Sequence, residues 1–147
     1  MSEQPALLCR VGTHTIAIPL ALVVETLRPL PIAPLPAMPP FVLGLSVLRG
    51  AAVPVIDART LLGASTREPC RRYVTLALGP RRAALAVDGV IGVHALALSS
   101  LEELPPVLGA LASDLVAAIS TLDASLLLVL RTSRLVPEAA WATGGTS

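Results

Sequence analysis

The segment Phe41-Val42-Leu43-Gly44-Leu45-Ser46-Val47-Leu48-Arg49-Gly50 runs straight on into Ala51-Ala52-Val53-Pro54-Val55-Ile56-Asp57-Ala58-Arg59-Thr60-Leu61-Leu62-Gly63. Two apolar runs of strand length meet at Leu48-Arg49-Gly50, and Gly50 permits the positive φ that a tight hairpin turn needs. The spacing therefore predicts a hairpin with Arg49 projecting from its tip. Asp57 and Arg59 emerge where the second strand ends. An arginine held by a turn, with a carboxylate nearby, serves either as a structural ion pair or as a fixed docking group. The segment by itself supports both readings equally.

Working outward, short β-like runs separated by Gly and Pro dominate the chain, which argues for a barrel or sandwich and against a helical bundle. Leu7 to Val11 leads to Gly12, and Thr15 to Ile18 returns with Ile16 and Ile18 on one face. Tyr73 to Leu78, a turn at Gly79-Pro80-Arg81 and Arg82 to Val87 repeat the plan, with Val74, Leu76 and Leu78 sharing a face. A further β-rich segment follows each hairpin, at Leu22 to Leu27 and Val90 to Leu98. This weak duplication suggests two similar small barrels meeting near Thr66 to Pro69. Pro29 to Pro40 is too proline-dense for regular pairing and reads as a rigid, extended surface connector. Leu115 to Ile119 and Leu126 to Leu130 read as closing strands around a turn at Asp123 to Ser125. Residues 137–147, with Trp141, read as a flexible tail.

The chain has 147 residues, enough for one domain with a sizeable core. Its hydrophobic fraction of 54% and mean hydropathy of +0.76 raise the question of a membrane span. The longest uncharged run, Pro29 to Leu48, holds six prolines before Phe41, and these cannot continue a spanning helix. Elsewhere Asp and Arg interrupt the apolar runs. Met1 to Arg10 lacks a basic start and an apolar run of signal length. The expectation is a cytoplasmic protein with no direct membrane insertion. A net charge of +1 offers no global field for nucleic acid or anionic lipid, although Arg67, Arg71, Arg72, Arg81 and Arg82 form a basic cluster in sequence. Cys9 and Cys70 make no CxxC pair, so two thiols are expected and no disulfide or metal site.

Chemistry is hard to find. His14 and His94 are the only histidines available as bases, His14 in a hairpin turn and His94 in a β-like run, and neither lies in a triad motif. Asp57 and Asp88 each close an apolar strand, which admits a small hydrolase as one alternative. Yet Asp57-Ala58-Arg59 and Asp88-Gly89-Val90 lack the Asp-Thr/Ser-Gly order of aspartic proteases. The glycines form no phosphate loop. A nucleic-acid-binding barrel using the basic hairpin from Arg67 to Arg82 is a second alternative, weakened because Phe41, Tyr73 and Trp141 are the only aromatic residues.

The opening segment resembles the bacterial chemotaxis coupling protein family CheW, whose members carry G-x-x-N-L-R-G-x-x-x-P-V-x-D-L-R at this place. Ile16-Ala17-Ile18-Pro19 with Val23-Val24-Glu25 is similar to the family's first lobe, and Ala84 to Val90 to its second, so the likeness spans roughly Leu7 to Val136. It implies an all-β fold of two side-by-side, five-stranded, SH3-like barrels, a single domain over 6–136 with lobes near 6–65 and 70–130. It also implies no enzymatic activity and no cofactor. The implied role is a scaffold between the cytoplasmic tips of methyl-accepting chemoreceptors and the regulatory domain of a CheA-type histidine kinase, the groove between the lobes serving the receptor and the barrel ends the kinase. Carried over by position, Val23, Glu25, Gly44, Arg49, Val87 and Val93 become candidates for partner contact or groove shape, and Gly50, Asp57 and Arg59 brace the motif. Val47 stands where the pattern has Asn, and Ala58 where it has Leu. Arg131 to Arg134 stand where the family usually has acidic residues.

Overall fold

The structure is a computed structural model that describes residues 3–38, 40–62, 71–78, 81–97 and 134–135. Residues 79–80 of the expected Gly79-Pro80-Arg81 turn, the strands at 115–119 and 126–130, and the tail with Trp141 lie outside them, while Arg81 already belongs to a strand.

Among the described residues the strands are β1 (Glu3–Val11), β2 (His14–Pro19), β3 (Val23–Leu27), β4 (Val42–Leu48), β5 (Ala51–Asp57), β6 (Arg72–Leu78), β7 (Arg81–Val87), β8 (Gly89–Ala97) and β9 (Arg134–Leu135). One short helix, α1 (Ala58–Leu61), follows β5. They form a four-stranded sheet in the order β8-β1-β2-β9 and a five-stranded sheet in the order β3-β6-β7-β5-β4.

The three expected hairpins are present, as β1–β2, β4–β5 and β6–β7. The sheets nevertheless do not divide the chain near 66–69, because each draws strands from both sides of that point. β8 pairs with β1, while β5 pairs with β7 in parallel. Hairpin partners are local and legible in turn residues, whereas these long-range pairings are selected by which apolar faces fit together.

Alternation along the strands builds the layers. Leu7, Cys9, Val11, Ile16 and Ile18 of the four-stranded sheet pack against Ile56, Val74, Leu76, Ala83, Leu85 and Val87 of the other, with Phe41 fully buried among them. Burying a side chain such as Leu76 or Ile56 contributes about 1.5–3 kcal/mol. Ala6, Leu8, Ala17 and Leu96 occupy the opposite face of the four-stranded sheet. On the opposite face of the five-stranded sheet, Val55, Tyr73, Ala84 and Ala86 are covered by Leu27, Leu30, Ile32 and Leu43. The central strand β7 is thus buried on both faces, which accounts for its unbroken apolar run Ala83-Ala84-Leu85-Ala86-Val87.

The proline-rich connector is more than a surface crossing. Ala33 exchanges two backbone hydrogen bonds with Leu45 of β4, at 2.8 and 2.9 Å, and the Ser46 hydroxyl donates to the Pro31 carbonyl at 2.9 Å. Prolines flank the one residue whose N–H is needed, so pairing survives at a single bridge.

Five strands spaced about 4.8 Å apart would, in a flat sheet, hold β3 roughly 14 to 19 Å from the β4–β5 hairpin. Arg49 of that hairpin nevertheless hydrogen-bonds Glu25 of β3, so the sheet curls enough for two long side chains to bridge its ends.

Candidate protein-binding site

The turn between β4 and β5 consists of Arg49 and Gly50, and both have positive φ, 53° and 81°. Two positive φ values in a two-residue loop are the type I′ arrangement that matches strand twist. Gly50 adopts it without strain, whereas Arg49 does so against its Cβ. The turn aims Arg49 toward β3. Its Nη2 donates to Glu25 Oε1 at 2.7 Å and Oε2 at 2.9 Å, and its Nε donates to Oε2 at 3.1 Å. The partner of Arg49 is therefore Glu25 and not the nearer-in-sequence Asp57. These bonds hold the Glu25 carboxyl below its ordinary value of 4.5 and raise the Arg49 guanidinium further.

Glu25 reaches this position through a β-bulge. Val23 is paired with Leu76 and Glu25 with Thr75, which leaves Val24 as an extra residue in β3. The fully buried Thr75 hydroxyl accepts from the Glu25 N–H and donates to the Glu25 carbonyl, each at 3.1 Å. Val24 is consequently pushed outward and is 45% exposed, while Val23 packs against the core. Val23, a candidate for partner contact by position, is partly buried against the core, and Val24 is the valine exposed beside Glu25. The bulge depends on a residue 50 positions away, so the β3 sequence alone does not reveal it.

Behind the ion pair lies a cleft of about 580 Å³. Val24, Leu48, Val53 and Pro54 supply apolar walls, and Glu25, Arg49 and Arg82 supply polar groups. Val47 is 70% exposed on β4, at the position where the family pattern has Asn. Such a mixture of exposed apolar surface and an oriented arginine suits recognition of another protein.

The remaining candidates fall elsewhere. Gly44 is buried at φ 144°, and a Cβ there would come within 2.3 Å of the Ala33 carbonyl oxygen, so it admits the connector and offers no contact surface. Val87 is fully buried in the core between the sheets. Val93 is 55% exposed on β8 of the four-stranded sheet and does not line the cleft. Asp57 caps α1, accepting from the Arg59 N–H at 3.1 Å and the Thr60 hydroxyl at 2.8 Å. Arg59 is buried and ion-paired with Asp88, whose second oxygen accepts from the Gly12 N–H in the β1–β2 turn.

Both aspartates considered for hydrolysis thus have their oxygens engaged, those of Asp57 in a helix cap and those of Asp88 in contacts to distant segments. The basic cluster also separates in space. Arg71 and Arg72 lie at one end of the β6–β7 hairpin and Arg82, opposite Ala77, near the other, some five strand positions or roughly 17 Å away. Arg67 lies outside the described residues.

A family model described as the CheW-like domain matches residues 5–140. The chain belongs to the CheW-like family. Over 109 residues it is 32% identical to Protein FrzA of Myxococcus xanthus, covering 73% of this chain and 67% of that protein. It is 30% identical over 100 residues to Chemotaxis protein CheW of Rhizobium meliloti (strain 1021), covering 67% of this chain and 64% of that protein. In fold it is similar to the scaffolding protein TtCheW from Thermoanaerobacter tengcongensis, with a TM-score of 0.64 at 24% identity, over 71% of this chain and 72% of that one. CheW-like proteins are non-enzymatic scaffolds of chemotaxis signalling that couple chemoreceptors to CheA, and this chain is a member of that class.

Proposed function

We propose that this CheW-like chain bridges the cytoplasmic tip of a methyl-accepting chemoreceptor and the regulatory domain of a CheA-type histidine kinase, and that the cleft face carries one of the two contacts. The observation that carries this reading is the exposed Arg49–Glu25 pair beside Val24 at the mouth of the cleft. Exposed ion pairs contribute little to stability, so an arginine kept in a strained turn conformation is better explained by what it presents than by what it holds together. The role places the chain on the cytoplasmic side of receptor arrays. Among the described residues no helix is long and apolar enough to cross a membrane.

The test is binding of the wild-type chain and the Arg49→Asn variant to each partner separately, with protein on the order of tens of micromolar. Wild type is expected to bind both and the variant to lose one. Wild-type protein that binds neither overturns the proposal.

A further inference from the structure

We infer that Thr75 is a positioning residue for partner recognition: its buried hydroxyl holds the β3 bulge that sets Val24 and the Glu25 carboxylate side by side at the cleft. The inference rests on the adaptor reading above.

Tyr73, Thr75 and Ala77 occupy one face of β6, and Val74 and Leu76 the face turned toward the other sheet. At position 75 an apolar residue of the same shape would fill the space equally well. A hydroxyl removed from water needs partners, and this one has two, the N–H and the carbonyl of Glu25. In a regular antiparallel pair those groups would be matched to the β6 backbone. Here Glu25 is the first residue after the register shift, and the Thr75 side chain bonds both its N–H and its carbonyl.

Without the hydroxyl two courses are open. The Glu25 groups lose the partner that holds them at the register shift, or β3 slips by one residue into regular pairing. Because side chains alternate along a strand, a slip exchanges the faces of Val24 and Glu25, turning the carboxylate away from Arg49. Either course loosens the surface that the partner meets.

The experiment uses the whole chain with Thr75→Val, which keeps the shape and removes the hydroxyl, and Thr75→Ser, which keeps the hydroxyl. Affinity for the receptor tip and the kinase domain is measured by calorimetry, and the Glu25 carboxyl is titrated by NMR without any partner. Thr75→Val is expected to lose about three- to tenfold in affinity for the partner that Arg49→Asn fails to bind and nothing for the other. Its Glu25 carboxyl should titrate closer to 4.5 than in the wild type. Thr75→Ser should match the wild type in both readouts. Wild-type affinity and titration in Thr75→Val overturn the inference, as does a folded Thr75→Ser that behaves like Thr75→Val. Should Thr75→Val fail to fold, the Ser variant still decides. If the wild-type chain binds neither partner, the adaptor reading fails, and the Glu25 titration by itself decides the role of Thr75.

Discussion

Arg49 and Glu25, 24 residues apart in the chain, are joined by three hydrogen bonds that link the β4–β5 turn to β3 at the other end of the curled five-stranded sheet. The Arg49 side chain is 74% exposed and that of Glu25 29%. Solvent screens the attraction, so the consequence of the pair lies in orientation. The guanidinium is held in one place by the carboxylate at one end and by the turn at the other.

Stability and recognition should therefore separate at position 49. Asn-Gly is the preferred pair for a type I′ turn. Arg49→Asn is expected to melt no lower than the wild type and up to about 3 °C higher, while losing at least about tenfold in affinity for one partner. Differential scanning calorimetry and titration calorimetry on one preparation check both halves. A lower melting temperature with unchanged binding would assign Arg49 to structure.

The pair also has a defined pH range. The folded-state pKa of Glu25 lies below its ordinary 4.5, so what the pair contributes is present above that value and is lost as pH falls through the depressed one. Partner affinity that depends on the pair should hold steady from pH 7 to pH 5 and fall only below about 4.5. In Arg49→Asn the Glu25 titration should move up, as NMR of the carboxyl carbon would record.

Asp88 joins three parts of the molecule, through its carboxylate to Arg59 and Gly12 and through its N–H to the Arg10 carbonyl at 2.9 Å. It sits between β7 and β8, where the chain leaves one sheet for the other. Asp88→Ala takes the carboxylate of its ion pair away from the buried Arg59 and should cost roughly 3 kcal/mol, lowering the melting temperature by about 6–12 °C. Arg59→Met in the same chain should restore part of the loss, because a buried charge that has lost its carboxylate costs more than no charge. Urea denaturation of the single and double variants measures this.

Gly44→Ala is expected to cost about 2–4 kcal/mol. The added Cβ would collide with the Ala33 backbone, and φ 144° is unfavourable for alanine. The collision should release the connector first, so amide exchange at Ala33 and Leu45 should accelerate before exchange in β6 and β7.

Burial pushes the Cys9 thiol from 9.0 up to about 12. With Cys70 replaced by Ser, native protein at pH 8 should resist alkylation and react only on unfolding. The sign of the linkage follows: the folded state keeps its proton above the pH at which the unfolded chain loses it, so this site begins to destabilise the protein as pH rises past about 9.

The hairpins, the Arg49-Gly50 turn and the family membership were all readable from residue order. Turn chemistry is local, and strand alternation shows in the spacing of Ile16 and Ile18 or of Val74 and Leu76. Residue order also singled out Arg49 and Glu25, though without pairing them. It did not show that Val24 and not Val23 faces outward, that Val87 is core, or that Gly44 accommodates Ala33. Each of these depends on a neighbour contributed by a distant segment.

What residue order determined by itself is a set of β-hairpins bearing an arginine at one tip, because φ preferences and apolar alternation act over a few residues. Only the tertiary structure decided what that arginine meets. The curl of the five-stranded sheet brings β3 to the β4–β5 turn, and a buried hydroxyl on β6 sets the bulge that presents Glu25. Contacts of this kind are chosen by the packing of whole faces, and no short window of sequence carries them.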